Sequence, residues 1–259
     1  PADGKVCSMS PAVREADVIV VGAGLSGLIA ARTLIAAGLQ PLVLEADDRV
    51  GGRILTEEVA PGLPVEIGAQ WIGDTHRRMF ALAAELGVET FAQYDQGETS
   101  YELVGSGVLR ENTFHERFAD DLAELEKVLR RLDELAAEVP TDAPWSAPHA
   151  AEWDAITAGS WYDAQGLSPV ARELLEICTV GILAVPTVEV SFLHLLFTIQ
   201  TCGVTSELFA ESEGGAQTTR FVGGTAEIPN RLAALISEHI VLGALTEKAT
   251  PELVQPDGR

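Results

Sequence analysis

Ala16-Asp17-Val18-Ile19-Val20-Val21-Gly22-Ala23-Gly24-Leu25-Ser26-Gly27 is the stretch whose reading decides the fold. Its first half is a short β-branched run of the kind that forms a buried parallel strand. The run enters Gly22, Gly24 and Gly27, spaced G-x-G-x-x-G. Leu25 to Ala37 is rich in Ala and Leu and reads as a helix, with Gly38 as its C′ stop. Pro41-Leu42-Val43-Leu44-Glu45 reads as a second buried strand. The whole is a strand–helix–strand unit of about 30 residues. Its glycines permit a tight turn and a close backbone approach to a pyrophosphate. The helix start then offers free N–H groups and partial positive charge to that anion. Such a glycine pattern is common on its own, so its neighbours matter.

Two neighbours sharpen it. Glu45 ends the second strand, about 20 residues beyond the glycines, where a carboxylate accepts hydrogen bonds from adenosine ribose hydroxyls and repels a 2′-phosphate. The bland alternative is a solvated strand-end charge. Asp48-Arg49-Val50-Gly51-Gly52-Arg53 follows almost directly. Gly51 and Gly52 allow a second backbone approach, and Arg49 and Arg53 bring positive charge for a diphosphate. A nicotinamide-binding unit does not need this second segment, whereas a large group of FAD-binding oxidases and desaturases does.

Further along, Val65-Glu66-Ile67 reads as a short strand entering Gly68, and His76 to Leu86 as a helix stopped by Gly87. Gly105-Ser106-Gly107 predicts a hairpin turn within Tyr101–Leu109. Phe114, Phe118, Leu122, Leu125, Leu129, Leu132 and Leu135 recur at three- and four-residue spacing and predict one helix over 114–138. Pro140, Pro144 and Pro148 break the chain into a loop, and Ser168-Pro169 marks an N-cap and first turn. A glycine-rich stretch spans Gly214 to Gly224. Thr225 is expected to cap a further helix leading to a strand at Ile240-Val241-Leu242.

The chain has 259 residues, 47% of them hydrophobic, and a formal net charge of −22. That suits one large α/β domain or a domain plus part of a second, with a real core. So acidic a surface disfavours nucleic acid and anionic membrane surfaces as partners. The most apolar run, Ile177 to Leu196, is interrupted by Pro186, Glu189 and His194, so no membrane-spanning helix is expected. Cys7, Cys178 and Cys202 form no metal-ligand pattern with the five histidines, and no metal site is expected. Sparse cysteines and the lack of an apolar h-region in residues 1–15 lead to the expectation of a soluble, cytoplasmic protein without a secretory leader.

Val21 to Arg53 resembles the FAD-binding segment of the flavin monoamine oxidase family. The resemblance continues co-linearly through Glu66-Ile67-Gly68-Ala69-Gln70-Trp71-Ile72-Gly73, Trp153-Asp154-Ala155-Ile156-Thr157, Val188-Glu189-Val190-Ser191, Gln200-Thr201-Cys202-Gly203, Gly214-Gly215-Ala216-Gln217 and Arg220-Phe221-Val222-Gly223-Gly224. It covers nearly the whole chain up to about Leu242, and that order of blocks is more specific than any one of them. It implies an α/β fold: a Rossmann-like FAD-binding domain (a G-x-G-x-x-G βαβ unit) with part of a mostly helical, mixed substrate domain. Residues 1–15 would be a flexible lead-in and 16–75 the first part of the FAD-binding domain. Residues 76–212 would belong to the substrate domain, and 213–259 would return, truncated, to the FAD-binding domain.

The resemblance also implies site residues. Leu25, Ser26, Glu45, Ala46, Gly51, Gly52 and Arg53 would contact the adenosine diphosphate half, beside Gly22, Gly24, Gly27 and Arg49. Gly68, Ala69, Gln70 and Trp71 would lie near the flavin. Phe209 matches a gating position, Gln217 a polar residue facing the substrate, and Gly181 and Ile182 the other cavity wall. For these four, plain core packing is the competing reading. The implied activity is oxidation of an amine to an imine and aldehyde, with O2 as acceptor and hydrogen peroxide as product.

Family members are longer, and their second half carries a lysine near the flavin and the segment that completes the FAD site. Lys248 sits too early to be that lysine, Thr246 stands near a position that touches adenine, and no catalytic residue is assigned. A second chain could supply the remaining half. A non-catalytic FAD-binding subunit, a desaturase, and an L-amino-acid oxidase using Arg77, Arg78 or Arg110 to hold a carboxylate stay open as alternatives.

Overall fold

A computed structural model describes residues 14–105, 107–209 and 215–245. In chain order the strands are β1 (Val18–Val21), β2 (Pro41–Leu44), β3 (Thr56–Ala60), β4 (Leu63–Glu66), β5 (Thr90–Ala92), β6 (Ser100–Leu103), β7 (Gly107–Arg110), β8 (Thr219–Phe221) and β9 (Ile240–Val241). The α-helices are α1 (Leu25–Ala36), α2 (Arg77–Leu86), α3 (Glu111–Arg117), α4 (Ala119–Ala136), α5 (Ala150–Asp154), α6 (Ala158–Asp163), α7 (Pro169–Leu183), α8 (Phe192–Cys202), α9 (Thr205–Phe209) and α10 (Glu227–Ala234). The described residues divide into two compact units, one holding 14–70, 80–90 and 220–245, the other 71–79 and 91–219. The chain passes between the units at 70/71, 79/80 (within α2), 90/91 and 219/220, where the sequence reading expected boundaries at 75/76 and 212/213.

The first unit is built on the βαβ segment. β1 and β2 run parallel with Val18 opposite Pro41 and Val21 opposite Leu44. β9 joins the other side of β2, also parallel, with Val43 opposite Ile240. The sheet order is β1-β2-β9. Helix α1 makes the crossover and buries Leu28 and Ala31 against Ala23, Val43, Leu232 and Ile236. It ends as its sequence predicts, with Gly38 at φ +82° donating its N–H to the Ile35 carbonyl at 2.9 Å. The expectation that β1 is buried on both faces fails: Ile19 is 60% and Val21 61% exposed. Among the described residues β1 is an outer strand, and only its Val20 side packs on the core.

β3 and β4 form an antiparallel hairpin closed at Gly62, with Thr56 opposite Glu66. The sequence reading found β4 but not β3, whose Thr-Glu-Glu-Val-Ala run is largely exposed and lacks an apolar alternation. The Pro61-Gly62 dipeptide was the available signal.

The second unit is mostly helical. Its core gathers Leu132, Tyr162, Leu175, Phe192, Leu195, Leu196 and Ile199 from α4, α6, α7 and α8. Trp161 stacks on Phe192 with centroids 4.7 Å apart. Inside this core the Tyr162 hydroxyl meets the Thr179 hydroxyl at 2.8 Å, and burial pushes the Tyr162 phenol up to about 12. The Ser168 hydroxyl caps α7 by accepting the Ala171 N–H at 3.2 Å, with Pro169 at the first helical position. The predicted hairpin is present as β6 and β7, Ser100 opposite Arg110 and Leu103 opposite Gly107; Ser106 at its turn lies outside the described residues.

The single helix expected over 114–138 is two, α3 and α4, broken at Phe118, whose φ of −114° and ψ of 27° leave the helical region. Phe118 turns into a satellite cluster with Phe114, Leu103 and Leu174, and this burial outweighs one more helical residue.

Candidate functional site

The N-terminus of α1 is built as an anion cradle. Gly22 has φ +94°, a conformation that side chains avoid. A Cβ on Gly27 would stand 2.0 Å from the Gly22 carbonyl oxygen, so helix and turn can approach this closely only with glycine there. Gly24 starts the helix with no side-chain cap and no acidic residue in the first turn. The N–H groups of Leu25, Ser26 and Gly27 therefore have neither an intrahelical acceptor nor a capping oxygen, and the helix dipole adds positive potential. A Cβ at Gly24 would meet no atom within 4 Å, so the space in front of the turn is open.

The second glycine segment lies against the first. Gly24 and Gly51 form a parallel bridge, and the Gly51 N–H donates to the Ala23 carbonyl at 2.9 Å. Gly51 and Gly52 both have positive φ, +104° and +59°. Arg49 also shapes this loop. Its guanidinium donates to the carbonyls of Val50 at 3.2 Å, Ile54 at 3.2 Å and Gly52 at 2.9 Å, bracing the loop from within. Arg53 keeps an exposed side chain on the same loop.

Glu45 completes this half. One carboxylate oxygen accepts the Ala23 N–H at 2.6 Å and the other the Asp47 N–H at 3.0 Å. The Asp47 N–H holds its pKa below the usual carboxylate range, desolvation opposes this, and the N–H groups of Ala23 and Ala46 and the charge of Arg49 add to the lowering. The carboxylate is thus ionised and aimed beside the glycine turn, as ribose recognition requires. Ala46 is exposed next to it. The sequence reading missed Gly243 and Ala244, whose N–H groups donate to the Asp47 carbonyl at 2.9 Å and the Glu45 carbonyl at 2.7 Å, bringing the segment after β9 to the backbone of these two residues. Only the pairing of β9 beside β2 places them there. Thr246 and Lys248 lie outside the described residues.

Gly68, Ala69 and Gln70 extend from β4 along the backbone of 53–55. The Ile67 N–H donates to the Leu55 carbonyl at 2.9 Å and the Ala69 N–H to the Arg53 carbonyl at 3.2 Å. A Cβ on Gly68 would fall 2.0 Å from the Arg53 carbonyl oxygen. The ladder ties this segment directly to the Gly51-Gly52-Arg53 loop.

In the second unit, Trp71 is 38% exposed and donates its indole N–H to the Gln93 side-chain oxygen at 2.9 Å. Gln93 was not singled out from the sequence. Its own N–H donates to the Thr218 carbonyl at 2.7 Å, while Ile72 and Thr219 exchange backbone bonds at 2.9 and 3.0 Å. Trp71 and the loop carrying Gln217 therefore belong to one neighbourhood. Ile182 and Phe209 are half-buried and pack on the helical core, and Gly181 is exposed on α7. Arg77 and Arg78 are exposed, and Arg110 donates to the Ser100 hydroxyl at 3.2 Å. Among the described residues no group of His, Cys, Asp or Glu is arranged to hold a metal ion, and no helix is long and apolar enough to cross a membrane.

Residues 25–245 match the family model described as flavin containing amine oxidoreductase. The chain is 36% identical over 233 residues to the flavin-containing amine oxidase of Oncorhynchus mykiss, covering 86% of this chain and 43% of that one. It is 33% identical over 230 residues to the flavin-containing amine oxidase B of Homo sapiens, covering 88% of this chain and 44% of that one. The structure matches that of cyclohexylamine oxidase from Brevibacterium oxydans with a TM-score of 0.80 at 34% identity, over 89% of this chain and 51% of the other. The chain thus spans about half the length of the relatives it matches. With the nucleotide cradle, the second glycine loop and a match through residue 245, the chain belongs to the flavin containing amine oxidoreductase family.

Proposed function

We propose that this chain binds FAD and serves the oxidation of an amine. The observation that carries the reading is the Glu45 carboxylate, held at 2.6 Å from the Ala23 N–H beside the open, uncapped start of α1. The chain's residues fit the adenosine diphosphate half in three ways. Glu45 accepts the ribose hydroxyls. The N–H groups of Leu25, Ser26 and Gly27 face the diphosphate, with Gly22, Gly24, Gly51 and Gly52 admitting it closely. Arg53 supplies cationic charge, while Arg49 holds the loop in shape.

Gly68, Ala69, Gln70 and Trp71 would border the isoalloxazine ring, with the Gln93 hydrogen bond orienting the indole. Phe209, Gln217, Gly181 and Ile182 would bound the substrate cavity. When bound, the flavin supplies the two-electron oxidation of the carbon bearing nitrogen, and O2 takes the electrons to give hydrogen peroxide. The protein's part is binding, orientation and exclusion of water. The chemistry demands no acid–base side chain from this chain.

A second reading, a cofactor-holding subunit without turnover of its own, is favoured by the exposed Ile19 and Val21 side chains of β1, an apolar side that a partner chain could cover. A separate chain would then supply the remainder. We further propose a cytoplasmic location, a reading that the sparse cysteines support.

The test is the visible spectrum of the purified chain with FAD, before and after anaerobic addition of amines. Bound flavin that bleaches supports the oxidase reading. Bound flavin that persists supports the holding subunit. Absence of FAD binding overturns both.

A further inference from the structure

We infer that Glu66 is a positioning residue for the flavin-facing segment 67–70, acting through a clamp made with Thr56 and Thr225. The inference rests on the FAD reading above and adds to it a residue outside the nucleotide motifs.

Thr225 was expected to cap α10 with its hydroxyl. Helix α10 has no side-chain cap at all. The Thr225 hydroxyl instead donates to one oxygen of the Glu66 carboxylate at 3.1 Å, and the Thr225 N–H donates to the same oxygen at 2.7 Å. The other Glu66 oxygen accepts the Thr56 hydroxyl at 2.7 Å. That hydroxyl oxygen in turn accepts the Ala226 N–H at 3.1 Å. Thr56 and Glu66 are directly opposed across the β3–β4 hairpin. One carboxylate therefore fastens the hairpin to the entrance of α10. The fit is close: Gly224 has φ +97°, and a Cβ on it would stand 2.3 Å from the Thr56 methyl carbon.

The position of the clamp gives it more than a supporting role. Glu66 is the last residue before Ile67-Gly68-Ala69-Gln70. From Ile67 onward the segment is tied by backbone bonds to Leu55 and Arg53, next to the glycine loop of the diphosphate half. The same hairpin thus carries Arg53 at one end of the cofactor path and Gly68-Ala69 along the other, and Glu66 with Thr56 is where it is pinned to the rest of the unit. Releasing the pin would let 67–70 shift while the α1 cradle and Glu45 stay in place, because neither shares a hydrogen bond with the clamp.

The direction of the bonds makes the test sharp. In Glu66→Gln the amide nitrogen would face the Thr56 hydroxyl, whose oxygen already accepts the Ala226 N–H and whose proton would lose its acceptor. Thr56→Val removes the hydroxyl at nearly constant shape. Thr56→Ser keeps it.

The experiment measures dissociation constants for FAD and for ADP by titration calorimetry on the 259-residue chain and these variants, with thermal melts to confirm folding. ADP reports the adenosine half alone. In Glu66→Gln and Thr56→Val the preference for FAD over ADP is expected to fall by about tenfold or more, with ADP binding within about threefold of wild type. Thr56→Ser is expected to keep the wild-type preference. If Glu66→Gln fails to fold, Thr225→Ala, which removes only the 3.1 Å bond, is expected to lower the preference in the same direction by a smaller factor. An unchanged preference in the folded variants overturns the inference, as does an equal loss for both ligands, which would make the clamp a general support. Wild-type chain that binds FAD no tighter than ADP also overturns it, leaving the adenosine half standing. Wild-type chain that binds neither overturns the FAD reading itself.

Discussion

Glu45 shows how a single residue carries a pH dependence. Its folded-state pKa lies below the usual carboxylate range, chiefly through the Asp47 N–H. A depressed carboxylate contributes its stabilisation fully above its unfolded value, about 4.3, and loses it as pH falls through the folded value. The Glu45 contribution to ADP affinity, read as wild type against Glu45→Gln at each pH, is therefore expected to persist as pH falls through the ordinary carboxylate range and to be lost only through the lower folded-state value, an acid limb of its own. Glu45→Gln should weaken binding by about ten- to a hundredfold at neutral pH, the loss of charge-assisted bonds to the ribose, and should abolish the acid limb. Titrations of ADP against both proteins check this; a Glu45→Gln chain with wild-type affinity contradicts it. Gly27→Ala acts by sterics instead. Its Cβ cannot stand 2.0 Å from a carbonyl oxygen, so strand, turn or helix must move. A cost of about 1–3 kcal/mol and loss of ADP binding are expected, read by chemical denaturation and calorimetry.

At the scale of the element, α6 and α7 depend on two local bonds of different kinds. The Ser168 cap on α7 is worth about 1 kcal/mol, so Ser168→Ala should lower the melting temperature by about 2–4 °C. Tyr162→Phe leaves the fully buried Thr179 hydroxyl without its phenol partner and should cost about 1–3 kcal/mol. The same variant tests the burial argument. Absorbance of the phenolate in the wild type should include a step that appears only near pH 12, and the Tyr162→Phe chain should lack it. The break between α3 and α4 belongs to this scale as well: seven apolar residues at helical spacing describe a continuous stripe, but Phe118 gains more from the cluster around Phe114 than from an unbroken helix.

For the whole molecule, the open side of the β1-β2-β9 sheet among the described residues is the feature that counts. β1 is an outer strand with Ile19 and Val21 facing outward. The two side chains leave an apolar sheet face in solvent, and the outer strand's backbone edge lies beside it, so both favour association. The 259-residue chain alone is expected to show concentration-dependent association by light scattering, reduced in an Ile19→Thr, Val21→Thr double variant. A chain that remains monomeric at every concentration would show that this edge is not sticky. The charge of −22 opposes association at low ionic strength, so the effect should grow as salt screens it.

The sequence by itself determined what depends on neighbours along the chain. The βαβ unit, the glycines at Gly22, Gly24, Gly27, Gly51 and Gly52, the Ser168 cap and the β6–β7 hairpin are all set by spacing and backbone freedom over a few residues. Tertiary structure decided what depends on partners far apart. Arg49 braces its own loop because the carbonyls of Val50, Gly52 and Ile54 come within reach of its guanidinium. Gly243 and Ala244 reached the backbone carbonyls of Asp47 and Glu45 because β9 lies beside β2. Thr225 gave its hydroxyl to Glu66, 159 residues away, because a buried hydroxyl takes the strongest acceptor within reach, and only the folded chain brings that carboxylate close.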